Sequence, residues 1–150
     1  VGNMFDAEYG SYKEDVDLAW RLRIAGSRAF TVLNAIAYHD RTAAGPKEMS
    51  DSAALLNYHK KPDYVRIQSY RNHILTLFKN ELLQNALIDA PHIFWYELKK
   101  FVYLLLHYPY ILVRTWFEVI KFMPGTWRKR RWTMRHKKVG WIDLRSWWDR

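Results

Sequence analysis

Three carboxylates, Glu14, Asp15 and Asp17, fall within four consecutive residues. They stand where a helical pattern begins: Leu18, Leu22 and Ala25 recur at helical spacing, and Gly26 follows as a stop signal. The free N–H groups and the dipole at a helix start stabilise ionised carboxylates. A carboxylate held in this way stays charged near neutral pH and can accept a proton from a substrate hydroxyl. An acidic first turn also stabilises an ordinary surface helix, so the three residues by themselves leave both readings open. On a helix Asp17 lies about 200° around from Asp15. It is therefore read as structural, paired with Arg21 at the i, i+4 spacing.

The elements that must position these groups follow from the patterning. A helix is expected from about Asp15 to Ala25, and Ala29 to Tyr38 reads as one or two short strands broken near Asn34. Residues 40–63 are rich in Gly, Pro, Ser, Asp and Lys and read as a surface loop with a helical turn. Tyr64 to Leu87 shows a helical pattern with Ile67, Tyr70, Ile74, Leu77 and Phe78 on one side. Pro91 restarts the chain into an apolar region, Ile93 to Met123, interrupted by Pro109 and closed by Pro124-Gly125. Arg114, Glu118, Lys121 and Pro109 argue against a simple membrane-spanning helix there. Two readings remain: helices lying in a membrane interface with Trp95, Tyr96, Tyr103, Tyr108, Tyr110 and Trp116 at head-group depth, or helices packed on the chain's own core. Trp141 to Trp148 reads as a short amphipathic helix capped near Asp143.

Composition narrows the partners. With 150 residues the chain is long enough for one domain with its own core, and zero cysteines exclude disulfides and zinc–thiolate sites. Residues 1–96 hold 11 basic and 11 acidic side chains, whereas residues 97–150 hold 13 basic and 4 acidic, so the whole surplus of nine lies in the last third. Much of it falls in Trp127-Arg128-Lys129-Arg130-Arg131-Trp132-Thr133-Met134-Arg135-His136-Lys137-Lys138. A basic run directly after an apolar helical region fits anionic lipid head groups. The interleaved tryptophans would also suit stacking on nucleic-acid bases, and a solvated tail is a third reading.

The stretches Met4-Phe5-Asp6-Ala7-Glu8-Tyr9, Tyr12-Lys13-Glu14-Asp15-Val16-Asp17-Leu18-Ala19-Trp20-Arg21, Gly26 and Ala35-Ile36-Ala37-Tyr38-His39 together resemble the late part of the catalytic domain in inverting family 2 glycosyltransferases, the bacterial rhamnosyltransferase-like enzymes in particular. The likeness runs from Phe5 to His39 and more loosely through Tyr70-Arg71-Asn72 and Lys79-Asn80. It implies an α/β, Rossmann-like GT-A catalytic portion over residues 1–63, a mainly helical membrane-interfacial region over 64–126, and a basic, Trp-rich tail over 127–150.

The activity so implied is transfer of a sugar from a nucleoside-diphosphate sugar to a hydroxyl of a saccharide or lipid-linked acceptor. Asp15 would be the catalytic base and Glu14 its neighbour orienting the acceptor, with Trp20 and Arg71 binding substrate, although a structural salt bridge is the other reading of Arg71 on a long helix. His39 would be a ligand for Mg²⁺ or Mn²⁺, which would neutralise the departing diphosphate. The first half of such an enzyme, with its metal-binding Asp-x-Asp, is missing from these residues, since Asp15-Val16-Asp17 belongs to the later motif. The resemblance therefore implies the C-terminal part of a longer enzyme, inactive alone and seated at the cytoplasmic face of the cell membrane through residues 95–138. A non-catalytic basic helical module binding anionic membrane or nucleic acid is the rival expectation.

Overall fold

The computed structural model describes residues 4–30, 32–36, 38 and 57–146. In chain order the helices are α1 (Glu14–Ile24), α2 (Asp63–Asn80), α3 (Leu83–His107), α4 (Pro109–Arg135) and α5 (Trp141–Arg145). A 3-10 turn at Ala7–Tyr9 precedes α1, and a helical stretch at 57–60 leads into α2. Helix makes up 75% of the described residues and no strand occurs among them. The expected α/β, Rossmann-like GT-A portion is thus corrected to a helical bundle.

The reason lies in Ala29 to Tyr38. Its aromatic and aliphatic residues suit a strand, but strand preference is realised only against a neighbouring strand and a packed face. No such neighbour exists among the described residues. The Ala35 N–H instead closes a turn on the Val32 carbonyl at 3.1 Å, and Phe30, Leu33, Ile36 and Tyr38 stand exposed.

Helix α1 ends as its sequence requires. Ser27 N–H donates to the Leu22 carbonyl at 2.9 Å and Gly26 N–H to the Arg23 carbonyl at 2.8 Å, the paired bonds that close a helix C-terminus. Gly26 has φ +83°, a left-handed backbone that a side chain would resist. The next carbonyl, Ile24, accepts from Lys138 N–H at 2.9 Å, which ties α1 to the segment after α4.

The central packing is α2 against α4. Arg66 lies over Tyr108, Arg71 meets Glu118, and Phe78 meets Trp127. The partner numbers rise together, so α2 and α4 run parallel, while α3 runs back antiparallel to α2, with Glu97 meeting Tyr70 and His73. One core cluster joins Tyr70, Leu104, Ile111 and Leu112; a second joins Ile24, Leu82 and Leu144. Glu81 and Leu82 break the pattern expected to run from Tyr64 to Leu87. There Arg130 donates to the Phe78 and Glu81 carbonyls at 2.5 and 2.8 Å, satisfying the open end of α2.

Two prolines expected to punctuate the chain do not. Helix α3 begins before Pro91 and continues through it, and α4 continues through Pro124-Gly125 across the boundary expected at 126/127. Pro109, by contrast, sits in the first turn of α4, where its missing N–H is harmless. An interior proline removes a hydrogen bond and crowds the preceding turn. In α4 the loss is offset by contacts beyond it: Lys129 to Asp6 and Glu8, and Arg130 to the end of α2. Gly125 allows this approach, since a Cβ there would lie 3.3 Å from Glu8 Oε1. Among the described residues no helix is long and apolar enough to cross a membrane.

Candidate functional site

The residues leading into α1 are held in an unusual backbone. Tyr12 and Lys13 have φ +72° and +70°, consecutive left-handed positions without a glycine. Each such residue costs about 1–3 kcal/mol and persists only when its surroundings over-determine it. Here α2 does so. Fully buried Asn72 places its Nδ2 2.7–3.0 Å from the carbonyl oxygens of Tyr9, Ser11 and Tyr12. Arg71 donates to the carbonyls of Glu8 and Tyr9 at 3.0 and 3.1 Å and to Asn72 Oδ1 at 2.9 Å. The turn is therefore clamped from below by two adjacent side chains of one helix.

Beneath it lies a buried ion network. Asp17, with no solvent exposure, accepts from Arg21 Nε at 2.9 Å and Asn80 Nδ2 at 2.8 Å, and its Oδ1 lies 2.9 Å from Lys79 Nζ. Lys79 also reaches Asp6 at 2.7 Å, and Lys129 from α4 reaches Asp6 and Glu8 at 2.6 Å. Burial alone would push the Asp6 carboxyl up. Hydrogen bonds and charges from Lys129 and Lys79 outweigh it and hold the group below its ordinary 3.8. Burial likewise pulls Lys129 down, but Asp6 and Glu8 win and keep its amine above 10.5. Tyr9 roofs the network: its hydroxyl accepts from Thr76 at 2.9 Å, and burial with the nearby Asp17 charge pushes its phenol far up.

The three carboxylates of α1 are thus sorted. Asp17 is spent on structure, including the i, i+4 pair with Arg21 expected from the spacing. Asp15 is exposed, with one oxygen accepting the Val16 N–H at 2.8 Å. Glu14 is half-buried, and its Oε2 is closed off from solvent with no hydrogen-bond partner among the described residues. An exposed carboxylate beside an unpaired acceptor, both at the start of a helix, can take a proton from a hydroxyl and orient a second polar group.

The other candidates fall elsewhere. Arg71 is buried, ion-paired to Glu118 at 3.6 Å and stacked over Phe122, so its guanidinium serves the clamp. Trp20 packs against the cluster of Ile24, Leu82 and Leu144. Glu14 and Asp15 are brought together; Trp20 and Arg71 are not brought to them as open contacts. His39 lies outside the described residues. Among those described, no three His, Cys, Asp or Glu side chains converge as a metal site would need.

Residues that sequence reasoning left without a role carry most of the geometry: Asn72, Lys79 and Asp6. The signal was available on α2, where Asn72, Thr76, Lys79 and Asn80 repeat at i, i+4, i+7 and i+8. A polar stripe at core spacing announces a buried polar interface.

A further group faces the same region from α3. Glu97 accepts from Tyr70 OH and meets His73 Nε2, each at 2.9 Å, and Lys100 Nζ sits 3.9 Å above the Tyr70 ring. Burial pulls the Lys100 amine down from 10.5 to about 8; Glu97 opposes the fall, while the charges of Lys13 and Lys61 add to it. No protein-family model, curated protein or solved structure matches the chain.

Proposed function

We propose that the chain is the C-terminal, acceptor-side portion of an inverting glycosyltransferase. The observation that carries this reading is the strained Tyr12-Lys13 turn, clamped by Asn72 and Arg71, which delivers exposed Asp15 and half-buried Glu14 above a separately neutralised Asp17. Strain of this kind gathers where a side chain must be aimed.

Asp15 takes the proton of the acceptor hydroxyl as that oxygen attacks the anomeric carbon. The bond to the nucleoside diphosphate breaks on the opposite face, inverting the centre. Glu14 accepts a hydrogen bond from the acceptor and fixes its approach. The acceptor is a saccharide or lipid-linked saccharide, and the donor is bound by residues outside these 150. A divalent cation, Mg²⁺ or Mn²⁺, would neutralise the leaving diphosphate. The described residues supply no donor set for it, and His39 is the remaining candidate from this chain.

The test is transfer from a nucleotide sugar by the chain joined to the segment that precedes Val1 in its source protein, with Asp15→Asn beside the parent. The expected result is loss of most turnover with nucleotide binding kept. Turnover near the parent level overturns the assignment of Asp15. An upstream segment lacking alternating strands and helices with an Asp-x-Asp overturns the transferase reading as a whole.

A further inference from the structure

From Trp127 to Arg135 the basic run of the sequence forms the end of α4, and helical periodicity divides these residues into two sets with different surroundings. Lys129 and Arg130 turn inward, onto Asp6 and Glu8 and onto the end of α2. Arg128, Arg131 and Arg135 turn outward, and their side chains meet no partner among the described residues.

The outward three continue a stripe that starts at the other end of the helix. Tyr110, Val113, Phe117 and Ile120 are 67, 69, 57 and 69% exposed. At 100° per residue the seven side chains fall within about 60° of the Phe117 direction. Arg114 and Lys121, also exposed, lie along one edge of the apolar part, Arg114 paired with Glu118 at 3.2 Å and Lys121 long enough to lift its charge beside the stripe. The only carboxylate of α4, Glu118, lies at the margin of this stripe, about 100° from Phe117, where it also pairs with Arg71 at 3.6 Å. One face of a helix about 40 Å long is therefore mainly apolar over its first half, with Arg114 and Lys121 along one edge, and cationic over its second, with Glu118 engaged by Arg114 and Arg71 at its margin.

We infer that this face of α4 seats the chain on an anionic phospholipid surface, with Tyr110, Val113, Phe117 and Ile120 entering the head-group boundary and Arg128, Arg131 and Arg135 on lipid phosphates. Charge complementarity selects the occupant. A neutral apolar partner leaves the three arginines unmatched, and a nucleic acid leaves the four apolar residues in water. The inference stands on the face itself and does not depend on sugar transfer.

The experiment is flotation of the 150-residue chain with phosphatidylcholine vesicles, with and without phosphatidylglycerol. Binding is expected only where phosphatidylglycerol is present. Each cation near such a surface strengthens partitioning about fivefold, so Arg128→Glu/Arg131→Glu/Arg135→Glu weakens it by on the order of 100-fold or more. Phe117→Asp/Ile120→Asp also weakens it, with helix content unchanged by circular dichroism. A charge-matched control, Arg28→Glu/Lys60→Glu/Lys99→Glu, alters exposed cations on other segments and leaves most binding intact. Equal loss in that control overturns the assigned face. Binding indifferent to phosphatidylglycerol, or tighter binding to single-stranded or duplex nucleic acid at the same salt, overturns the inference.

Discussion

Asp15 and Asp17 are two residues apart on one helix, and the same substitution in each should give opposite phenotypes. Asp17 is fully buried and meets Arg21, Lys79 and Asn80 at 2.8–2.9 Å. Removing one partner from a buried ion pair costs about 3–5 kcal/mol, because the remaining charge is left in a dry site. Asp17→Asn belongs at the low end, about 3 kcal/mol, since the amide still accepts a hydrogen bond and Asp6 still faces Lys79. For a chain of this length that is a fall of about 6–12 °C in melting temperature. Asp15→Asn, at an exposed position, should change stability by no more than about 0.5 kcal/mol. Urea unfolding followed by circular dichroism reads both. Equal effects of the two single substitutions, or a loss below about 1 kcal/mol for Asp17→Asn, would refute the division of labour argued for α1.

Two further outcomes follow from the ionisation of the same region. Asp6 has a folded-state value below 3.8, so its contribution is complete above 3.8 and is lost as pH falls through the lower folded value. Asp6→Asn should flatten the acid limb of a stability–pH profile in that window; an unchanged limb would show that Lys79 and Lys129 do not hold it. Lys100 behaves in the opposite sense: its folded value of about 8 lies below 10.5, so its contribution to stability rises between those values as the unfolded chain keeps a proton the folded chain has lost. An NMR titration of the lysine side chains should place one midpoint at about 8 that vanishes in Lys100→Met, and a midpoint near 10.5 would contradict the burial of that amine over Tyr70.

How much of this could be read from the chain depended on how local the cause was. The span of α1, its stop at Gly26 and the Asp17–Arg21 pair were readable because each is set within one or two helical turns. The start of α4 at Pro109 was readable for the same reason. The helical continuity through Pro91 and Pro124 was not, because it depends on distant contacts. Lys129 meets Asp6 across 123 positions, and nothing near Pro124 announces that. The strand reading of Ala29 to Tyr38 failed for the complementary reason: a strand is a property of a pair, and no partner lies among the described residues. In the candidate site, Glu14 and Asp15 were visible as acidic residues at a helix start. The polar stripe of α2 marked Asn72 as facing a buried interface, but what it and Arg71 clamp was not legible, since the targets are backbone carbonyls.

That last point bears on what the buried charges achieve. The chain places Asp6, Asp17, Arg21, Arg71, Lys79 and Glu118 at interfaces where apolar residues of similar volume would pack with less desolvation. Charges, unlike methylenes, are satisfied at only one distance and direction. Lys79 bridges the 3-10 turn to α1, Lys129 ties that turn to α4, and Arg71 carries the loop on α2. The position of the Glu14–Asp15 pair is therefore set by three helices at once. A slip of α4 by one residue would move Lys129 off Asp6 and rotate the apolar stripe and the outward arginines together by about 100°. The face offered to a lipid surface and the aim of the exposed carboxylate are thus fixed by the register of a single helix. A substitution that shifts that register should disturb both while touching neither.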